Sequence, residues 1–102
     1  MKLEWTEPSL LDMESIRDYI SKDSEYYAAQ FIGRIIEAVE TLPEFPNRGR
    51  IVPEAENEAI RELLFQSYRI MYLVETDRIL ILTVLHGSRE IGLIDPKPWD
   101  IA

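Results

Sequence analysis

Three side chains stand out for the chemistry they could do together: Glu54, Arg69 and His86. Cleavage of a phosphodiester through a neighbouring hydroxyl requires a general base, a general acid and positive charge on the phosphate. Glu54 offers the base, His86 the acid and Arg69 the phosphate clamp, with Arg61 and Arg89 in support. Each also has a plainer role. His86 suits a strand-end histidine hydrogen-bonded to backbone. Arg69 suits a cross-strand ion pair with Glu54 or Glu62, and Glu54, after Pro53, suits a solvated loop. Other chemistries are closed. The chain has no cysteine and a single histidine, which removes disulfides, thiol catalysis and iron–sulfur clusters and leaves no set of zinc ligands.

These residues lie in or beside one stretch, Ile60 to Arg89, which reads as three strands almost back to back: Ile60 to Gln66, Tyr68 to Val74 and Arg78 to His86. Val, Ile, Thr, Tyr and Phe are dense there and proline is absent, as a pleated surface requires. Glu75-Thr76-Asp77 is a polar turn of hairpin length. A period of two places Arg78, Leu80, Leu82, Val84 and His86 on one face of the last strand, and Ile79, Ile81, Thr83 and Leu85 on the other. In the middle strand Tyr68, Ile70, Tyr72 and Val74 oppose Arg69, Met71 and Leu73. Both faces are therefore apolar, and both need a cover.

The elements that position this sheet come first in the chain. Lys2 to Trp5 is a short strand. Thr6 caps a helix from about Pro8 to Lys22, with Pro8 in its first turn where a missing N–H costs nothing. Asp23 or Ser24 caps a second helix, whose stripe of Ala28, Phe31, Ile35, Val39 and Leu42 ends at Pro43 and Pro46. The link between the helices is so short that they form an antiparallel hairpin. Such a pair covers one sheet face. Pro43 to Arg50 is a loop, and Ile51 to Glu54 an extended lead into the sheet. Residues 90–102 carry two prolines and form an irregular tail.

The expected fold is thus a single α+β domain over residues 1–102, in the order βααβββ. An N-terminal strand and a helix hairpin precede a three-stranded antiparallel meander, and the helices lie on one sheet face. One hundred and two residues leave no room for a second domain. At 46% hydrophobic and 29% charged, the composition is that of an ordinary globular protein. With no secretory signal and no membrane-length apolar run, the expected location is the cytoplasm, away from membranes. The net charge of −8 is uneven: four basic residues face ten acidic ones up to residue 47, and seven face nine beyond it. That balance disfavours broad nucleic-acid binding, which needs a basic surface.

The order βααβββ, with GRIVPE at Gly49 to Glu54, IREL at Ile60 to Leu63, YRIMY at Tyr68 to Tyr72 and VLHGSR at Val84 to Arg89, resembles the RelE/ParE superfamily of bacterial toxins. The resemblance runs from Leu3 to Arg89. It implies the toxin of a type II toxin–antitoxin pair, of the kind linked to plasmid stabilisation, neutralised by an antitoxin that wraps it. It allows a homodimer or a heterotetramer with the antitoxin, and no cofactor or metal. Two branches are open. The ParE-like branch poisons DNA gyrase without being a nuclease, and this is the branch favoured here. The RelE branch cleaves mRNA in the ribosome. In its YoeB-type members a glutamate, an arginine and a histidine hold the catalytic roles, and Glu54, Arg69 and His86 match them one by one. Against that, Gly87 stands where those enzymes keep an aromatic residue after the histidine, and the stretch Ile60 to Arg89 carries no lysine. An inactive homologue kept as a binding partner is the third possibility.

The second sheet face ties the resemblance to the physical reading. If the helices cover one face, the antitoxin is expected on the other, near Met71, Leu73, Leu80 and Leu82, with Arg89 as a further contact. The face shared by Arg69 and His86 is the expected one. The competing expectation is that Trp99 and Ile101 fold back from the tail and cover it.

Overall fold

The computed structural model describes residues 1–100. Strand β1 (Lys2–Trp5) leads into helix α1 (Glu7–Ser21) and helix α2 (Glu25–Glu40). Strands β2 (Arg50–Ile51), β3 (Ile60–Phe65), β4 (Tyr68–Val74) and β5 (Arg78–His86) follow, in a sheet of order β1-β5-β4-β3-β2. The α+β class, the helix hairpin and the antiparallel β3-β4-β5 meander agree with expectation. The strand count does not: the described residues form five strands, not four. Arg50 and Ile51 pair with Glu62 and Arg61, and the Val52 N–H reaches the Ile60 carbonyl. Two residues are too few to display a period, so the sequence shows only an extended lead. Glu54 is not extended either. It lies in a 3-10 turn over Pro53–Ala55 that ends with Glu56 in the left-handed region, at φ 52°.

The helices start where the side chains can take their first N–H groups. Thr6 Oγ1 accepts from Ser9 and Ser24 Oγ accepts from Tyr27. Met13 and Ile16 of α1 join Phe31, Ile35 and Val39 of α2 over Ile70, Tyr72, Ile79, Ile81 and Val84 of the sheet. No helix among the described residues is long and apolar enough to cross a membrane.

β1 runs parallel to β5 and pairs only with Arg78 to Ile81. Beyond that point the edge of β5 would be open. Thr6 closes part of it, donating its N–H to the Ile81 carbonyl and its hydroxyl to the Leu82 carbonyl. Asp12 of α1 takes a further group: its Oδ2 accepts from the Val84 N–H at 3.0 Å and from Thr83 Oγ1 at 2.5 Å. Side chains thus do the pairing that a longer strand would have done.

A bulge at Leu82 changes the faces. Met71 is opposite Thr83 and Tyr72 opposite Ile81, so Leu82 has no partner in β4. Leu80, Leu82 and Leu85 cluster on one side, while Ile79, Ile81 and Val84 pack under the helices. Strict alternation put Val84 and His86 with Leu80 and Leu82. The extra residue turns both to the helix side, away from Arg69.

The second face is not open. The tail crosses it, with a 3-10 turn at Ile91–Leu93. Ile91 is buried against Val52, Ile60, Met71, Leu80 and Leu82, and Ile94 and Trp99 pack on the same cluster. The expectation of an exposed docking face at Met71, Leu80 and Leu82 is therefore corrected for the isolated chain: all three are buried, and Leu73 is partly so. An apolar face of this size gains too much from leaving water to stay bare while apolar side chains are within reach. Trp99 does what the competing expectation asked of it; Ile101 lies outside the described residues.

Candidate functional site

Arg69 leaves β4 on the tail side of the sheet, and two carboxylates meet it there. Its cross-strand partner is Leu64, which puts Glu62 diagonally adjacent on the same face. Arg69 Nε donates to Glu62 Oε1 at 2.5 Å and Nη2 to Glu62 Oε2 at 3.2 Å. The other edge of the guanidinium forks onto Glu54, from Nη1 at 3.2 Å and Nη2 at 2.9 Å. Arg50, directly opposite Glu62, adds Nε to Oε2 at 2.8 Å. The result is an alternating chain, Arg50–Glu62–Arg69–Glu54, with the Glu62 side chain wholly out of solvent and Arg69 11% exposed. No buried side-chain polar atom among the described residues lacks a partner.

The charges respond to this packing. Glu62 and Glu54 hold the Arg69 guanidinium in its protonated form, raising its pKa further. The Arg69 hydrogen bonds hold the Glu54 carboxyl below its ordinary value of 4.5, against a smaller opposing push from burial. A carboxylate with a lowered pKa is a weaker base. An arginine that donates from Nε and both Nη atoms must release Glu54 before it can grip a phosphate.

His86 stands apart. Ser88 donates its N–H to His86 Nδ1 at 3.1 Å, and Ser88 Oγ lies 2.7 Å from the same nitrogen. In the neutral imidazole the proton therefore sits on Nε2. The ring packs edge-on to Tyr68, which packs on Phe31 of α2. His86 and Arg69 border one shallow hollow at the β3–β4 turn, but no hydrogen bond joins His86 to Glu54 or Arg69 among the described residues. Arg61 is committed elsewhere, to the Gly49 carbonyl at 2.7 Å. Arg89 is exposed and lines a groove with His86 beside α1. Of the candidate residues, then, the fold joins Glu54 and Arg69, leaves His86 on the other side, and gives Arg61 a backbone to hold.

Two residues matter here more than sequence reasoning indicated. Glu62 is the centre of the ion chain; an acidic residue at an alternating strand position, on the face that Arg69 shares, was the available signal. Tyr72 is the other. Its buried hydroxyl accepts from the Gly49 N–H at 2.9 Å and donates to the Pro46 carbonyl at 2.8 Å, which pins the loop leading to Arg50. Burial raises its pKa.

A family model described as the ParE toxin of the type II toxin–antitoxin system, parDE, matches residues 3–91. The chain belongs to this ParE toxin family. Toxin RelE2 of Caulobacter vibrioides is 34% identical over 86 residues, which are 83% of this chain and 93% of that protein. The Sinorhizobium fredii toxin-like protein Y4kP is 34% identical over 91 residues, 87% of this chain and 91% of that one. Among solved structures, a chain of the chromosomal ParDE system from P. aeruginosa superposes with a TM-score of 0.71 at 26% identity, covering 84% of this chain and 95% of that one. A chain of the Mycobacterium tuberculosis RelBE2 complex shares the fold, at a TM-score of 0.60 and 18% identity over 86% of this chain and 92% of that one. In this ParE-family chain the match stops at Ile91, the first buried residue of the tail, so Ile94 and Trp99 lie beyond the matched span.

Proposed function

We propose that this ParE-family chain arrests growth by binding DNA gyrase and holding it in its DNA-cleaved state, with no catalytic step of its own. The observation that carries the reading is the state of Arg69. It is locked between Glu54 and Glu62, while the bulge at Leu82 keeps His86 on the other side, so base, acid and phosphate clamp do not converge. The acidic charge balance also suits a protein target better than a ribosome. The second reading, an mRNA endoribonuclease using Glu54, Arg69 and His86, draws on the hollow that Arg69 and His86 share.

Inducing the chain alone in bacteria separates the two. Filamentation and DNA-damage signalling with intact mRNA is the expected result. Translation-dependent mRNA cutting that disappears in His86→Ala would replace it with the nuclease reading. No effect on growth would make the chain an inactive homologue retained for binding.

On the same reading a cognate antitoxin protein silences the chain in the cytoplasm. The solved ParDE system, 26% identical, supports that partner. An antitoxin that contacts Met71, Leu73, Leu80 and Leu82 has first to lift the tail. The tail is suited to being lifted: its described hydrogen bonds are internal, such as Ile94 N–H to the Ile91 carbonyl and Lys97 Nζ to the Gly92 and Ile94 carbonyls.

A further inference from the structure

A small groove runs between the second half of α1 and the end of β5, and the proposed function leaves it unused. His86 and Arg89 line one side, and Ser15 and Tyr19 of α1 the other. Its floor is apolar, formed by Ile16 and Val84. The hydrogen-bonding capacity of the rim is lopsided. His86 Nδ1 already accepts from Ser88, so the second ring nitrogen presents an N–H. Arg89 is exposed and, among the described residues, has no carboxylate within ion-pair distance. The hydroxyls of Ser15 and Tyr19 can also donate. The one carboxylate in the lining, Asp12, is turned onto the strand, where its Oδ2 takes Thr83 and Val84. The rim thus offers several donors against one free carboxylate oxygen, Asp12 Oδ1, above an apolar floor.

We infer that this groove receives an acidic side chain of a protein partner, with the partner's neighbouring aliphatic side chain seated on Ile16 and Val84. The carboxylate meets Arg89 and the His86 N–H. Charge complementarity selects the class of occupant. A nucleic-acid backbone would bring many negative charges toward a chain of net charge −8, whose first 47 residues hold ten acidic residues against four basic ones. A single carboxylate beside an aliphatic group meets the Arg89 guanidinium and the His86 N–H without that penalty. The assignment rests on the groove's own chemistry and stands whichever target the toxin has.

The test is an NMR titration of the isotope-labelled full chain with a capped decapeptide in which one glutamate follows a leucine. The peptide should shift the resonances of Val84, His86 and the Arg89 side chain. Its glutamine counterpart should bind about five-fold more weakly, the factor expected for a partly exposed ion pair. Arg89→Glu should abolish the shifts and leave the melting temperature unchanged, because Arg89 is exposed. Two results would overturn the inference: no shift at these three residues with the peptide, or stronger shifts at the same residues with a single-stranded DNA decamer.

Discussion

Glu62 is a fully buried carboxylate whose ion-pair partners among the described residues are Arg50 and Arg69. Glu62→Ala strands a nearly buried guanidinium with Glu54 as its remaining partner. Breaking such a pair from one side costs about 3–5 kcal/mol, and a urea denaturation curve should show a loss of that order. Glu54 acts more gently, from a partly exposed position. Its folded pKa is depressed, chiefly by Arg69. Its contribution is therefore present above the unfolded value of 4.5 and lost as pH falls through the lower folded value. Denaturation midpoints measured down through the carboxylate range should fall less steeply in Glu54→Gln than in the parent. Tyr72→Phe leaves the Gly49 N–H and the Pro46 carbonyl without their partner and should cost about 1–3 kcal/mol. Gly49 admits no side chain: an added Cβ would lie 2.5 Å from the Glu62 carbonyl oxygen and 2.7 Å from Tyr72 Oη. Residue types on the sheet announced the Arg69 ion pair. That Glu62 is its buried centre followed only from register.

Helices and strands were legible because their periods repeat over many residues. Thr6, Pro8 and Ser24 marked the helix starts, and the stripe from Ala28 to Val39 marked the buried side of α2. The bulge at Leu82 was not legible. A run in which both faces are apolar looks the same with or without one extra residue, yet that residue decides which side His86 takes. Asp12 anchors this part of β5 from another element. Asp12→Ala should expose the Val84 amide to faster hydrogen exchange and cost about 1–3 kcal/mol, with no change at β3. The β3–β4 turn carries a different strain, since Gln66 sits at φ 51° without being glycine. Gln66→Gly should be neutral to stabilising by up to about 1 kcal/mol, read as a rise in melting temperature.

The whole molecule buries both faces of one sheet, the first under paired helices and the second under its own tail. Truncation after Arg89 removes Ile91, Ile94 and Trp99 from the second core. Burial of one large aliphatic side chain is worth about 1.5–3 kcal/mol, so the shortened chain should melt lower, bind a hydrophobic dye and associate with itself. A truncated chain that stays monomeric and dye-free would mean that the tail is not the needed cover. Sequence by itself determined the α+β class, the helix hairpin, the meander and the existence of a second apolar face, because each is written in local periodicity and composition. Only the tertiary structure decided that the tail fills that face, that a two-residue fifth strand adds an edge to the sheet, and that Glu54 and Arg69 meet while His86 does not. Those outcomes depend on register and on contacts between distant segments, which no local pattern encodes.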